Sequence, residues 1–299
     1  MIVVGDEVRA AISAKKAVVA LESTIFSTLG LPAPANSEAL ARCTKAVRKA
    51  GAVPALTAVV DGVIWAGLPD EMQELVLNAS VKVAARDLGV ASARRLSVGV
   101  TTVSASVVIA DQVGIEVFAT GGIGGVHRDA EITGDISADL DAIAHHGVTV
   151  VSAGAKAFLD LPRTLEYLET RSVPVIGWRT DHFPAFYTQS SGLDVPYRVD
   201  DAKSVARIHV ARRELGQGGT LLAVPIPTHA ELDGQRIAEA IEEGLRQVDG
   251  RQLSGPQVTP AVLAEIEKAT GGESVDANLA LAENNAEVAA KVAFEIAQL

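Results

Sequence analysis

A lone lysine, Lys156, follows an apolar run at residues 148–151 and the short segment Ser152-Ala153-Gly154-Ala155. Strands of parallel sheets read as continuous apolar runs, and their carboxyl ends face the ligand crevice. An amine held there by apolar neighbours loses solvation and is easier to deprotonate, and a neutral lysine amine forms Schiff bases with carbonyl carbons. The alternative interpretation of Lys156 is a surface lysine that opens a helix.

A carboxyl group, that of Glu22, also stands at the end of an apolar segment, residues 18–21. Burial next to apolar neighbours raises the pKa of a carboxyl group, and a carboxyl that keeps its proton near neutral pH can act as a general acid. The sequence therefore makes Glu22 a candidate proton donor. The alternative is a glutamate that caps a helix or forms a salt bridge at the surface.

Two further carboxylates, Asp135 and Asp139, stand four residues apart and share one face if a helix begins near Asp135. One of them could bind a hard divalent cation while the other contacts the substrate. A site with few protein oxygens and several waters suits Mg²⁺ or Mn²⁺. The alternative is that Asp135 or Ser137 is simply the helix N-cap.

Two glycine pairs, Gly121-Gly122 and Gly124-Gly125, follow a predicted strand and could bring backbone N–H groups close to an anion. Their spacing does not fit a dinucleotide-binding fingerprint, because no clear helix opens at the last glycine. A tight structural turn explains the pairs equally well. Lys82 could hold an anionic substrate, or it could be a solvated lysine on an edge strand. Thr101-Thr102 begins a predicted helix, where hydroxyls and free N–H groups favour anions.

The elements that must position these groups alternate between strand-like and helix-like segments. This alternation predicts an α/β fold with a mainly parallel sheet flanked by helices (α-β-α). Asp61-Gly62 is a strong hairpin signal and predicts a small antiparallel decoration within residues 53–68. We expect one domain over residues 1–299, mostly helical from His229 onward. Further strands are predicted at 17–21, 115–120, 148–152, 175–178 and 220–223, and helices at 37–50, 101–113, 137–146, 161–170 and 202–215.

The composition excludes several classes of protein. Hydrophobic residues make up 48% of the 299 residues and aromatic residues only 4%, so aliphatic side chains must fill the core. A formal net charge of -11 argues against a partner held through nucleic-acid phosphates. The single Cys43 excludes an internal disulfide and fits a reducing compartment. Without a signal peptide or an apolar run of about 20 residues, we expect a cytoplasmic protein that does not enter a membrane.

Eight motifs, taken together, resemble the pseudouridine-5'-phosphate glycosidases over nearly the whole chain. They are ALEST (20–24), KVAARDL (82–88), TTV (101–103), FATGGIGGVHR (118–128), DISADL (135–140), SAGAK (152–156), LEYLET (165–170) and TGGES (270–274). The set is highly specific, because no generic α/β pattern would produce these motifs in this order.

The resemblance implies reversible cleavage of the C–C glycosidic bond of pseudouridine 5'-phosphate, a small nucleotide, to uracil and ribose 5-phosphate. It also implies a divalent metal, usually Mn²⁺, and a homotrimer. By position, Lys156 matches the family's nucleophile, Glu22 its proton donor and Asp135 its metal ligand. Positions that bind or line the substrate are matched by Lys82, Thr102, Val103, His127, Ser137, Ala138, Asp139 and Asn278.

A lysine suits this reaction because a C–C glycosidic bond has no leaving-group heteroatom to protonate, so two carboxylates do not suffice. Opening the ribose and linking its C1′ to Lys156 would give an iminium that accepts electrons. The uracil carbon then leaves with a proton supplied nearby, and hydrolysis of the imine releases ribose 5-phosphate.

The chain departs from the family pattern at three places. Residues 25–30 lack the His-Gly pair that relatives usually carry, Val224 stands in place of an Asn, and Ala84-Ala85 stand where a polar or basic residue is common. These departures bear on the contacts to the base or the phosphate. The alternatives to a glycosidase are an indigoidine-type relative of pigment biosynthesis and a non-catalytic sugar-phosphate-binding subunit. The intact catalytic set argues against the latter, because a mere binder needs no lysine nucleophile.

Overall fold

The computed structural model describes residues 2–249 and 258–299, in which strands and helices alternate. The strands of these residues are β1 (Ile2–Val4), β2 (Val18–Leu21), β3 (Val53–Val60), β4 (Val63–Ala66), β5 (Lys82–Val83), β6 (Val98–Thr101), β7 (Val117–Ala119), β8 (Thr149–Ser152), β9 (Val175–Trp178), β10 (Tyr197–Val199) and β11 (Thr220–Ala223). The α-helices are α1 (Asp6–Ser13), α2 (Ala35–Lys49), α3 (Gln73–Leu77), α4 (Leu88–Ala93), α5 (Val103–Val113), α6 (Ala130–Thr133), α7 (Ala138–His145), α8 (Leu161–Thr170), α9 (Ala202–Glu214), α10 (Gly234–Asp249), α11 (Val258–Thr270) and α12 (Glu273–Ile296).

A parallel sheet with the strand order β3-β2-β7-β8-β11-β9-β10 forms the centre of the molecule. Strands β2, β8, β9 and β11 are buried along their whole length. Burial on both faces explains why these segments read as nearly unbroken apolar runs. Helix α12 packs along β2, β7 and β8, and α5 packs on β2, β7 and α7. The predicted α/β fold with a mainly parallel sheet flanked by helices is confirmed.

The antiparallel decoration is confirmed as well, and β3 joins it to the parallel sheet. The first half of β3 pairs with β2 in parallel, while its second half pairs with β4 and β6 in antiparallel. The turn between β3 and β4 consists of Asp61 and Gly62, with φ angles of 51° and 78°. Two residues in the left-handed region are what a two-residue hairpin of the primed type requires, and Asp-Gly meets that requirement.

Several boundaries differ from the predicted ones. The helix predicted at 101–113 begins only at Val103, because Thr101 ends β6 and Thr102 is the N-cap. The sequence does not mark strands β1, β5, β6 and β10, which have two to four residues and, unlike β2, β8, β9 and β11, are not buried along their whole length. The predicted helical tail corresponds to α10, α11 and α12, and its part at residues 250–257 lies outside the described residues. Within the described ranges, no helix combines the length and the apolar character needed to cross a membrane.

Three neighbouring strands of the parallel sheet end at the same edge. Leu21 of β2 pairs with Ala119 of β7, which in turn pairs with Val151 of β8. The segments that leave these strands, beginning at Glu22, Thr120 and Ala153, therefore start side by side. This edge carries most of the chemically interesting residues.

Gly154, in the segment after β8, is expected to tolerate no side chain. Its φ is +79°, and a Cβ added to it would lie 2.5 Å from the carbonyl oxygen of Pro184. Gly114 has the same φ of +79°, but a Cβ there meets no atom within 4 Å. We expect Gly114→Ala to destabilise by about 1–2 kcal/mol, the cost of a left-handed alanine. Gly154→Ala should lower the free energy of unfolding by about 1–3 kcal/mol more than Gly114→Ala does, because of the steric clash.

Urea unfolding of the two glycine variants measures this difference. Because both substitutions carry the same backbone penalty, their difference isolates the close approach of residues 154 and 184. Equal losses in the two variants would contradict the packing described for this segment.

Candidate active site

A cavity at the carboxyl edge of β2, β7 and β8 collects the residues singled out in the sequence. Eleven candidate residues line it: Glu22, Lys82, Thr102, Val103, His127, Asp135, Ser137, Ala138, Asp139, Lys156 and Asn278. Ten of them belong to the motifs and Asn278 lies on α12, so the residues come from segments that are far apart in the chain. The structure thus brings all of these residues together, while the role assigned to each one stays a prediction.

Lys156 lies in the loop between β8 and α8, partly buried. Its backbone N–H donates to the carbonyl of Ile123 at 3.1 Å, and its side-chain Nζ donates to the carbonyl of Gly122 at 2.9 Å. The alternative of a surface lysine that opens a helix is wrong, because α8 begins only at Leu161. The carbonyl of Gly122, in the first glycine pair, therefore positions the amine, which faces the cavity.

Glu22 directly follows β2 and is buried, with 6% of its surface exposed. Burial raises the pKa of its carboxyl to about 7, although the charge of Lys156 and a hydrogen bond from Thr120 act in the opposite direction. Thr120 Oγ1 donates that bond to Glu22 Oε1. A carboxyl with this pKa is protonated in a large fraction of molecules at neutral pH, as a general acid must be. The alternative of a salt-bridged glutamate at the surface is wrong.

Asp139 connects α5 to the glycine-rich loop. Its Oδ1 accepts from the N–H of Ser104 at 2.8 Å, and its Oδ2 accepts from the N–H of Gly124 at 2.9 Å. Ser137 is the N-cap of α7, and its Oγ accepts from the N–H of Asp139. The N-cap interpretation thus holds for Ser137 and not for Asp135. With both carboxylate oxygens engaged, Asp139 holds the cavity wall in place.

Asp135 and His127 form the part of the cavity where a cation could bind. Asp135 Oδ2 lies 3.9 Å from His127 Nδ1, and the Asp135 side chain is about one-third exposed (35%). Burial lowers the pKa of His127, the Asp135 carboxylate opposes this effect, and the charges of Lys156 and Lys82 add to it. Across residues 2–249 and 258–299, no group of three or more His, Cys, Asp or Glu side chains is arranged to hold a metal ion. The donors present fit a hydrated cation bound through one carboxylate, and they do not fit a closed coordination shell.

The corner near β5 and the start of α5 is suited to an anion. Lys82 is partly buried at the beginning of β5, and burial, together with the charge of Lys156, lowers its pKa. The Thr102 hydroxyl lies 2.9 Å from the hydroxyl of Ser104 at the N-terminus of α5. Helix N-termini attract negative charge through their free N–H groups and the helix dipole. A positive side chain beside such an end suits a phosphate group.

Asn278, on α12, presents an unused acceptor. Its Oδ1 is buried and makes no hydrogen bond within the part of the chain that the structure describes. A Cβ added to Gly121 would lie 3.1 Å from this oxygen, so the glycine leaves it uncovered. A buried acceptor without a partner is costly, and a ligand N–H would satisfy it.

Two of the three departures from the family pattern lie in the cavity wall, and the third lies in the core. Ile25, Leu29 and Gly30 line the cavity, as does Ala84. Val224 is instead buried in the core, where its N–H donates to the carbonyl of Ser152 at 2.8 Å. The first two departures thus change the cavity wall, while Val224 is not among its lining residues.

Sequence reasoning missed several lining residues, including Thr120, Ser104, Phe186, Pro260 and Leu263. Thr120 carried a usable signal, because it ends a predicted strand as Glu22 does. Pro260 and Leu263 carried none, since they lie on α11, whose approach to the cavity depends on the tertiary packing.

Comparison with known proteins places the chain in a narrow group. The family model described as indigoidine synthase A like protein matches residues 7–295. A pseudouridine-5'-phosphate glycosidase of Caldanaerobacter subterraneus subsp. tengcongensis is 49% identical over 297 residues, 98% of this chain and 96% of that protein. The protein of the same name from Methylobacterium nodulans is 49% identical over 293 residues, 97% of this chain and 86% of the relative.

Two solved structures share the fold. The prealnumycin C-glycosynthase AlnA in complex with ribulose 5-phosphate superimposes with a TM-score of 0.90 at 38% identity, over 100% of this chain and 97% of that one. An indigoidine synthase A-like protein from Thermotoga maritima superimposes with a TM-score of 0.86 at 33% identity, over 95% and 94% of the two chains.

The buried carboxyl of Glu22 leads to a specific pH dependence of stability. Its ordinary pKa of 4.5 applies to the unfolded chain, whereas the folded protein has a value of about 7. Between these values the folded protein binds the additional proton, so the free energy of unfolding falls as the pH rises. The contribution is fully present below the lower pKa and lost above the higher one. At about 1.4 kcal/mol per pKa unit, the loss amounts to about 3 kcal/mol.

Urea unfolding across this pH range should show that Glu22→Gln lacks this loss, because an amide does not titrate. The exposed Glu71 provides a matched control, and Glu71→Gln should keep the wild-type pH dependence. If Glu22→Gln keeps the same dependence too, the assignment of the raised pKa to Glu22 is wrong.

Proposed function

The chain belongs to the family of indigoidine synthase A-like proteins, and on this basis we propose that it reversibly cleaves pseudouridine 5'-phosphate to uracil and ribose 5-phosphate. The observation that carries the proposal is the meeting of the Lys156 amine and the buried Glu22 carboxyl in one cavity. The curated relatives named for this activity support it, at 43–49% identity over nearly the whole chain. The glycosynthase and the Thermotoga protein are less similar, at 38% and 33% identity. This difference favours the glycosidase over a role in pigment biosynthesis.

Lys156 is the nucleophile of the proposed reaction. Its nitrogen forms a bond to C1′ of the ribose while the bond from C1′ to the ring oxygen breaks, so the sugar opens. A proton passes from the nitrogen to that oxygen, which leaves a hydroxyl on the sugar and a lone pair on the nitrogen. The nitrogen lone pair then forms a C=N bond, and the electrons of the C1′–C5 bond pass to C5 of uracil. Water adds to the resulting iminium, and ribose 5-phosphate leaves with the amine restored. The sum is one water consumed for each nucleotide cleaved.

Glu22 supplies the proton that C5 of uracil takes up in this scheme. A donor whose pKa lies near the working pH combines a sufficient protonated fraction with a sufficient driving force for transfer. The pKa of about 7 for Glu22 meets this condition in both directions of a reversible reaction. Lys156 and Glu22 leave β8 and β2, the two neighbours of β7, which sets amine and acid on either side of one strand end.

In this proposal, the remaining cavity residues each contact one part of the nucleotide: the phosphate, the uracil or the sugar. Lys82 and the N-terminus of α5 bind the phosphate, because Lys82 supplies a positive charge and the helix dipole favours an anion at the start of α5. The unused Oδ1 of Asn278 accepts an N–H of uracil, which has two such donors. Val103, His127, Ser137, Ala138 and Asp139 complete the walls around the sugar.

A divalent cation, Mn²⁺ in this proposal, binds through the Asp135 carboxylate with waters as its other ligands. Such a cation supplies positive charge that stabilises and orients anionic oxygens. One accessible carboxylate and no cluster of protein donors among the described residues fit this water-rich type of site. The homotrimer and the cytoplasmic location stay predictions.

Incubation with ribose 5-phosphate and borohydride tests the nucleophile. Reduction of the imine should add a stable mass to the wild type and none to Lys156→Ala or Lys156→Arg, because neither side chain forms an imine. The same proteins are assayed for uracil release from pseudouridine 5'-phosphate, which only the wild type should show. An adduct in Lys156→Arg would exclude Lys156 as the attachment site, and a wild type without uracil release would exclude the proposed function.

Removal of the Asp135 carboxylate tests the metal site. Asp135→Ala should lose both the stimulation of turnover by Mn²⁺ and the binding of Mn²⁺ seen by electron paramagnetic resonance. Asp141→Ala is the matched control, because Asp141 lies on α7 and its partly exposed side chain forms an ion pair with Arg171, which follows α8. Unchanged Mn²⁺ binding in Asp135→Ala would place the cation elsewhere.

A further inference from the structure

Thr120 makes a contact that the proposed reaction has not yet used. Its hydroxyl donates to Oε1 of Glu22, and both side chains are buried, with 5% and 6% of their surface exposed. In the part of the chain that the structure describes, no other side chain forms a hydrogen bond with the Glu22 carboxyl, and Oε2 accepts none. The two oxygens of this carboxyl are therefore not equivalent.

We propose that Thr120 is a positioning residue that directs the proton of Glu22 to Oε2 and sets the pH range in which Glu22 can donate it. This inference rests on the proposed role of Glu22 as proton donor. A neutral carboxyl carries its proton on one oxygen and accepts through the other. Since Oε1 accepts the hydroxyl of Thr120, the proton resides on Oε2.

The backbone of Thr120 is held from two sides, so its hydroxyl does not depend on a substrate for its position. The Thr120 N–H donates to the carbonyl of Val151 in β8 at 3.1 Å. Its own carbonyl accepts from Asn285 Nδ2 of α12 at 2.9 Å, and the same Nδ2 reaches the carbonyl of Gly121 at 3.1 Å. Asn285 is completely buried. Strand β8 and helix α12 thus fix the donor before any ligand arrives.

The charges around Glu22 give this hydrogen bond a defined effect. Burial has the largest influence and raises the pKa of Glu22, and the carboxylate of Asp139 acts in the same direction. The positive charges of Lys156 and Lys82 lower it, as does the bond from Thr120. A hydroxyl that donates to a carboxylate stabilises its charged form, so its loss leaves burial less opposed. Without Thr120, Glu22 holds its proton more tightly and becomes a weaker acid.

Thr120→Val removes the hydroxyl and keeps the shape of the side chain. A hydrogen bond to a charged group has a strength equivalent to about 1–2 pKa units. We therefore expect the alkaline limb of the profile of kcat against pH to move up by about 1–2 pH units. Thr120→Ser keeps the hydroxyl and should keep the wild-type limb. Thr149→Val is the matched control, because the buried Thr149 hydroxyl contacts His209 and not Glu22.

An infrared titration gives a second readout that does not need activity. The carbonyl stretch of a protonated carboxyl group that is present in the wild type and absent in Glu22→Gln belongs to Glu22. The pH at which half of this band is lost should lie near the wild-type value in Thr120→Ser and at a higher pH in Thr120→Val. Thr120→Ala serves the same purpose if the valine variant does not fold.

The two readouts separate the failure of this inference from the failure of the proposed function. A wild type that releases no uracil contradicts the function, while the infrared midpoint still decides whether Thr120 controls the proton of Glu22. If Thr120→Val and Thr120→Ala both titrate at the wild-type midpoint, Thr120 is only a structural residue and the inference is wrong.

Discussion

The parallel pairing of β2, β7 and β8 is the constraint on which the rest of the site depends. Parallel strands point the same way, so the residues that follow them emerge at one edge. The register that pairs Leu21, Ala119 and Val151 then sets Glu22, Thr120 and the lysine loop at the same height. An acid, its hydroxyl partner and an amine meet because three short apolar segments pair in one order. Strand β6 pairs in antiparallel with β3 and in parallel with β5, and β5 adds Lys82 to the site without disturbing this order.

The local charges of the site differ from the charge of the whole molecule. The chain carries a formal net charge of -11, yet the cavity holds two lysines close to its buried carboxyl. Their positive charge opposes the effect of burial on the pKa of Glu22, so the acid and the amine are coupled through space. A substrate phosphate would enter the same field. The site therefore has to be understood as a set of interacting charges and not as a series of independent residues.

The sequence predicted well whatever depends on local pattern. Apolar runs marked β2, β8 and β11, Asp61-Gly62 marked the hairpin, and Lys156 and Glu22 stood out because polar groups end apolar strands. Contacts between distant segments could not be predicted in this way. Thr120 and Glu22 are 98 positions apart, and Asn285 and Thr120 are 165 apart. The engagement of both Asp139 oxygens by backbone N–H groups likewise follows only from the packing of α5 against α7.

The contact of Asn285 with Thr120 and Gly121 also bears on when the protein acquires its site. Asn285 lies later in the chain than all of the cavity residues discussed above. It donates to the carbonyls of Thr120 and Gly121, directly before Gly122, whose carbonyl accepts from Lys156. During translation, the sheet and its catalytic candidates leave the ribosome before α12 does. A nascent chain in which the sheet has already formed thus still lacks the clamp on Thr120. The hydrogen bonds from Asn285 can form only after α12 has been synthesised, so they are the last of the contacts described above to become available to the site.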